Sequence, residues 1–281
     1  MDYAFIRHNI FDSAREDELR REIIPSLFNR RLVALRYDDI ESVDPKDYLT
    51  HEGKPWRSAQ AAIGRLRSYC NEGVVIGAAY GTDIMLVGRI NPGTEIRPEE
   101  FRPGVILKTA QLVDVREVRY VHHPILMIQP PYGALSLWAA GKGVLEAVMH
   151  GRSVAREPGN LHPGQHEVLC YEWLRSAAKL ERLLMPLGRG LPDIDILGVN
   201  ADGRKVIAQV TYQRQPRELA RKQEVLMRHW EEGMKAFFFL PRGARLEKFS
   251  QVRQVELETV LEDLSSADDD ATRAMLKAMF P

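Results

Sequence analysis

Two aspartates, a glutamine and a lysine on neighbouring extended segments are the part of this 281-residue sequence best equipped for chemistry. They lie in Gly-Leu-Pro-Asp193-Ile-Asp195-Ile-Leu-Gly-Val199 and in Lys205-Val-Ile-Ala-Gln209-Val-Thr211-Tyr212. Side chains alternate across a strand, so Asp193 and Asp195 share one face, and Lys205, Gln209 and Thr211 share one face of the next strand. The turn Asn-Ala-Asp-Gly-Arg at 200–204 folds the second strand back on the first as a hairpin. Glu167 lies early in the helix upstream. Carboxylate and amide oxygens gathered this way suit Mg²⁺, a hard cation that takes oxygen ligands and keeps several waters. A metal so held activates water and stabilises charge on a phosphoryl oxygen.

The elements that must position these residues follow from hydrophobic period and turn residues. A helix is expected over 165–179, strands over 180–186 and 193–199, the turn, a strand over 205–212, a helix over 217–231 and strands over 236–240 and 252–257. This order, helix–strand–strand–strand–helix–strand, makes a mixed central sheet with a helix on each face.

On these residues the second half resembles the PD-(D/E)XK nuclease superfamily, in the Mrr-like restriction endonuclease branch that carries Gln at the second acidic position. The resemblance covers residues 165–240. It implies an α/β restriction-endonuclease-like fold, a helix-borne Glu matched by Glu167, a metal-binding Asp matched by Asp195 or, next, Asp193, and a strand triplet matched by Gln209-Val-Thr211. Metal ligation by Asp195, Asp193 and Glu167 is part of that implication. The triplet departs from the family at Thr211, where a Lys is expected to steady the attacking water and the developing charge; a hydroxyl carries no charge. Lys205, two pleats earlier on the same face, and Lys222, on the following helix, are the two replacements to weigh. Arg214, Arg217, Arg221 and Arg228 follow the third strand, where such a core would meet a phosphate backbone. A solvated helix face is the competing reading, as a strand-entry turn is for Asp193 and Asp195.

The first half reads as an α+β domain over 1–150 with a small bent sheet or barrel. Helices are expected over 13–28 and 58–71, strands over 31–37, 74–80, 84–90, 105–107 and 112–118, and a weaker helical pattern over 135–149. Residues 151–165, with two prolines and three glycines, read as a linker to a second domain over 166–281. Trp56, Trp138, Tyr80 and Tyr132 either form the core or line a pocket that stacks a base. His162 and His166 read as loop histidines, because Pro163-Gly164 interrupts a helix under them. The terminal stripe Met275, Leu276, Met279 and Phe280 docks on its own domain or else covers a homodimer or protein-partner contact.

Composition narrows the classes. Hydrophobic residues at 44% and charged residues at 28% describe a globular chain, and two cysteines exclude a disulfide scaffold. Lys+Arg and Asp+Glu are both 39, so any nucleic-acid contact relies on local basic patches. No apolar run approaches a membrane span, and the start lacks a leader pattern, so a cytoplasmic setting is expected. The combined expectation is an Mg²⁺-dependent nuclease acting on nucleic acid, DNA favoured, in prokaryotic restriction or antiviral defence. The alternative is a catalytically silent nuclease-fold module that binds nucleic acid or a protein partner.

Overall fold

The computed structural model describes residues 2–8, 17–123, 126, 129–130, 133–187, 194–244, 246 and 249–281. The chain is mixed α/β and divides into two compact units, Met1–Val154 with Pro281, and Ala155–Phe280. No helix among the described residues is long and apolar enough to cross a membrane.

In the first unit the strands β1 (Asp2–Arg7), β2 (Leu32–Leu35), β3 (Val74–Ala79), β4 (Ile84–Ile90), β5 (Arg97–Arg102), β6 (Val105–Gln111), β7 (Val113–Arg119) and β8 (Leu135–Leu137) alternate with the helices α1 (Asp17–Asn29), α2 (Arg57–Glu72) and α3 (Lys142–His150). The strands form two separate sheets, β7-β4-β3-β1-β8 and β2-β6-β5, in place of the single bent sheet or barrel expected. β1 joins the larger sheet parallel to β3, which is how a segment far from its partner in sequence becomes central. β5, Arg-Pro-Glu-Glu-Phe-Arg, pairs with β6 at the edge of its sheet and stays largely exposed, so it carries no hydrophobic alternation to reveal it. The helical pattern expected over 135–149 splits, because Leu135–Leu137 pairs with β1 before α3 begins.

His8, at the end of β1, binds the two sheets together. Its Nδ1 lies 2.9 Å from the Ala79 carbonyl oxygen, and its Nε2 accepts from the Ala34 N–H at 3.1 Å. One nitrogen must therefore donate and the other accept, which fixes the neutral tautomer. The ring also stacks on Tyr80, centroids 4.1 Å apart. Burial pushes its pKa down to about 4.

The second unit contains α4 (Pro163–Ser176), β9 (Arg182–Leu183), β10 (Ile196–Val199), β11 (Lys205–Val210), α5 (Pro216–Arg228), β12 (Lys235–Leu240), β13 (Val252–Glu256), α6 (Leu257–Ser266) and α7 (Asp270–Met279). Its sheet order is β13-β12-β11-β10-β9. β9, β10 and β11 are antiparallel, and β11, β12 and β13 run parallel. The strand expected over 180–186 shrinks to two residues. Gly198 lets β9 approach, since a Cβ there would sit 2.4 Å from the Arg182 oxygen. Leu219 and Leu226 of α5 pack with Ile207, Ala236 and Phe238 on one face. Trp173 of α4 packs edge-on against Phe237 and Phe239, the alternate residues of β12.

The helix expected from 165 starts at Pro163. Proline suits the first helical position, where an N–H would have no partner. His162 caps the helix, accepting from the Gly164 N–H, while Gln165 reaches back to the His162 N–H. The two prolines that suggested a linker thus help to build the second unit, with a 3-10 turn at Pro158–Asn160 and Leu161 buried. At the other end Leu276, Met279 and Phe280 are buried and α7 packs on α6, so the terminal stripe is covered within the chain.

The proton on His8 gives a measurable consequence. Its folded pKa lies below the unfolded value of 6.5, so the unfolded chain binds the proton more readily. The contribution is complete above pH 6.5 and is lost as pH falls toward 4, by about 3 kcal/mol in total. Urea titrations at pH 7 and 4.5 should show a steeper loss for the wild type than for His8→Asn. Equal losses would exclude the buried neutral histidine as the cause.

Candidate active site

β10 and β11 meet as a hairpin whose loop is held by Asn200. Its Oδ1 accepts from the Arg204 N–H at 2.9 Å, its own carbonyl accepts from Gly203, and Gly203 takes a positive φ of 75°. The register Ile196↔Ala208 places Asp195 across from Gln209 at the other end of the hairpin. Asp195 donates its N–H to the Ala208 carbonyl at 2.9 Å. Its Oδ2 accepts two hydrogen bonds, from the Gln209 amide at 2.6 Å and from the Val210 N–H at 2.7 Å. The carboxylate therefore does the work of a ladder partner just before β10 begins.

Gln209 is 1% exposed. Its Nε2 donates to Asp195 and to the Val210 carbonyl at 3.1 Å, which settles which end of the amide is which. The other end, Oε1, is buried without a hydrogen-bond partner among the described residues. A lone buried amide oxygen costs on the order of 1–3 kcal/mol, so it invites a positively polarised ligand.

On the helix side, Cys170 of α4 is fully buried, and its thiol pKa is pushed well above the usual value. Burial is the largest cause, and the negative charges of Asp195 and then Glu167 add to it. The two carboxylates thus act on one thiol: α4 and the start of β10 bring Glu167 and Asp195 into the same neighbourhood. Among the described residues no three His, Cys, Asp or Glu side chains close on one point. Asp193 lies outside the described residues.

Thr211 is buried, and its Oγ1 accepts from the Gln213 N–H at 3.2 Å, holding the turn that leads into α5. Of the two replacement lysines, the structure separates Lys205 from the pair. It is exposed at the loop end of β11, opposite Val199, and four residues of strand, about 13 Å, part it from Gln209. Lys222 is half-buried on α5, one residue before Gln223. Sequence reasoning passes over Gln223. It lies between Leu219 and Leu226 on the helix face that packs on Ile207, is 1% exposed, and has an unpartnered Nε2 among the described residues. A buried Gln on an otherwise apolar helical stripe is the signal that could have found it.

Arg217, Arg221 and Arg228 are exposed on α5. Arg221 pairs with Glu218 at 3.2 Å. Arg214 donates to the Arg242 carbonyl at 3.0 Å and lies over the Tyr212 ring. His166 is helical and buried, not in a loop, and its Nε2 lies 2.7 Å from the Pro158 oxygen. The aromatics named as a pocket separate. Trp138 packs on Phe5 and Tyr80 on His8 and Phe28, all in the core, while Trp56 remains half-buried beside Tyr37. Tyr132 lies outside the described residues.

No protein-family model matches the chain, and no curated protein does. Among solved structures, a complex of EndoMS with double-stranded DNA shares 14% identity over 62% of this chain and 73% of that one, with a TM-score of 0.23. A repair endonuclease from Pyrococcus abyssi shares 10% identity over 80% of this chain and 99% of that one, with a TM-score of 0.22. At scores this low neither likeness shows a shared fold.

The double role of the Asp195 carboxylate can be read from stability alone. Asp195→Ala should cost about 1–3 kcal/mol for each of the two N–H groups it strands, whereas Asp195→Asn keeps an acceptor oxygen and should cost less. Denaturant midpoints of the two variants check this. An alanine variant as stable as the wild type would show that the carboxylate holds nothing together.

Proposed function

We propose that the second unit is a metal-dependent nuclease of the restriction-endonuclease-like type, hydrolysing phosphodiester bonds with DNA as the favoured substrate. The observation that carries this reading is the buried Oε1 of Gln209, unpartnered among the described residues and held beside the Asp195 carboxylate. Both are oxygen donors, they sit on paired strands, and the charge of Glu167 acts on the same buried thiol as that of Asp195. This donor set suits Mg²⁺. Asp195, Gln209 and Glu167 would hold the ion, with Asp193 as a further ligand by sequence. When bound, the ion would activate water and stabilise charge on a phosphoryl oxygen.

The protein's own groups supply the rest. Asp195 fixes the amide of Gln209, so that its oxygen keeps one direction. Lys222 is proposed for the positive charge that Thr211 lacks, since it flanks the inward face of α5 and Lys205 does not reach. Arg217, Arg221 and Arg228 would hold the phosphate backbone from the outer face of α5, with Arg214 at the turn before it. The resemblance of the sequence to Mrr-like enzymes supports a role in prokaryotic restriction or antiviral defence.

A second reading is a silent module that binds nucleic acid or a protein without cutting. Its supporting observation is that Asp195 Oδ2 and Thr211 Oγ1 are both engaged by backbone N–H groups, as in a site kept for its shape.

The test uses the full chain with single- and double-stranded DNA and RNA in Mg²⁺ or Mn²⁺. Cleavage that stops with chelator and is lost in Asp195→Asn, with folding retained, is expected. Lys222→Ala should slow cleavage while leaving binding intact. Replacing Arg217 and Arg221 with Ala should weaken binding and reduce the salt slope by about 1 for each phosphate left unneutralised. A wild type that cuts none of these substrates would leave the silent module, in which Thr211→Lys is the variant to examine for a gain of cleavage.

A further inference from the structure

The first unit carries a pocket that the nuclease reading does not use. It has a volume of about 420 Å³ and is lined by Asp38, Leu49, Thr50, His51 and Trp56. That is within the range of small-molecule sites, which combine apolar walls with a few placed polar groups.

Four features show it to be built. The segment 48–56 folds back on itself through Trp56 N–H to Tyr48 O at 3.0 Å and Thr50 N–H to Lys54 O at 2.7 Å, so Leu49 and Trp56 are carried on one short hairpin. Trp56 also occupies the N-cap of α2, a place where Ser, Thr, Asp or Asn would satisfy a helix N–H, and its side chain makes no capping bond. The helix start gives up a cap to place an indole there. Tyr37 meets that indole edge-on at 90°, centroids 5.5 Å apart, and fixes its plane. Leu49 is 45% exposed, which for a leucine beside an indole leaves an apolar wall facing water.

The polar side of the pocket is set by strain. Asp38 has φ of 56°, the left-handed region that non-glycine residues avoid, though aspartate tolerates it better than most. Beneath it Lys108 of β6 is fully buried. Its ammonium donates to the Asp38 carbonyl at 2.9 Å and to the Tyr37 carbonyl at 3.4 Å, and lies over the Tyr48 ring. A buried ammonium pulling on two consecutive carbonyls holds the turn inside out, and the Asp38 side chain is left exposed at the pocket wall. Strained backbone maintained by such an arrangement is characteristic of ligand-holding positions.

We propose that this pocket receives one nucleobase that carries an exocyclic amino group (adenine, cytosine or guanine), its ring against Trp56 and that amino group donating to the Asp38 carboxylate. An indole face accepts any base by stacking, and a carboxylate, which only accepts, selects an edge that donates. Thymine and uracil carry no exocyclic amino group, and the two carbonyls that flank their single N3–H meet repulsion at Asp38. The base arrives either free, as a nucleoside, or turned out of a strand; the chemistry at the pocket is the same. Binding there does not require the second unit to cut.

The test follows tryptophan emission of the full chain in chelator, so that cleavage plays no part. The probes are adenosine, cytidine, guanosine, thymidine and uridine, and single-stranded oligonucleotides with an adenine, a thymine or an abasic position flanked by abasic residues. Saturable quenching by adenosine, cytidine or guanosine, or by the adenine oligonucleotide over the abasic one, is expected, with the keto bases thymine and uracil weaker by about tenfold or more. Saturation by nucleosides alone identifies a free base as sufficient; saturation only by the oligonucleotide identifies a base within a strand. Trp56→Ala should abolish the quenching. Asp38→Asn keeps the left-handed turn, adds a donor, and should erase the preference for amino over keto bases. No saturable quenching by any probe, quenching that persists in Trp56→Ala, or equal affinity for amino and keto bases in the wild type would overturn the proposal.

Discussion

The second unit depends on one carboxylate oxygen that accepts two N–H groups. Just before β10 begins, its ladder with β11 has no further rung, and the Val210 N–H, at the end of β11, takes the Asp195 side chain as its acceptor. Asp195 Oδ2 takes that bond and the Gln209 amide together. Hydrogen bonds to a charged acceptor are the strong ones, so this junction is a firm point in the sheet. It also has a directional consequence. Once Nε2 of Gln209 is held by Asp195 and by the Val210 carbonyl, Oε1 has no freedom to turn toward a donor elsewhere. The interaction that opens the hairpin ladder also leaves Oε1 without a partner among the described residues, and a firm junction and an unsatisfied acceptor are two results of one arrangement.

The first unit uses buried polar groups in the same manner, each fixing a backbone path that apolar packing alone would not specify. His8 must be neutral, with one nitrogen donating and one accepting, because its partners are a carbonyl of β3 and an N–H of β2. Lys108 does the reverse with charge. Its pKa is pushed down to about 8 by burial, against the raising influence of Asp39 and Asp38, and it remains the donor to the Tyr37 and Asp38 carbonyls. Both groups trade desolvation for a defined local geometry: a junction between two sheets in one case, a left-handed aspartate in the other.

These arrangements mark what a sequence can and cannot disclose. The order of elements from α4 to β12 is legible because each has its own period, and the loop Asn-Ala-Asp-Gly-Arg announces the hairpin. The Asp195–Gln209 juxtaposition follows from alternation once the hairpin is assumed. β1 is not legible, since its pairing with β3 is parallel and spans some seventy residues. β5 is not, because an exposed edge strand can be wholly polar without penalty. The first turn of the helix expected from 165 is hidden because Pro163 resembles a breaker, whereas at the first helical position it is a favoured start. Alternation puts Lys205 on the face of Gln209 and says nothing of Lys222, which lies on a helix. Distance along the strand, which alternation ignores, sets Lys205 apart from Gln209.

The position of Thr211 shows what a lysine there would cost. The residue is 5% exposed, its N–H is given to the Phe239 carbonyl, and its hydroxyl holds the Gln213 N–H where the chain turns into α5. A lysine there would have to drop the turn hydrogen bond and find a path for a charged head out of a buried site, a cost that a local hydroxyl avoids. Charge supplied from α5 has neither difficulty. Lys222 is half-buried, while Leu219, Gln223 and Leu226 press the same helix onto the sheet. A long aliphatic stem lets such a residue lie along apolar surface and keep its ammonium hydrated. Thr211 thus shapes the exit of β11, and the half-buried Lys222 lies on the helix that follows it.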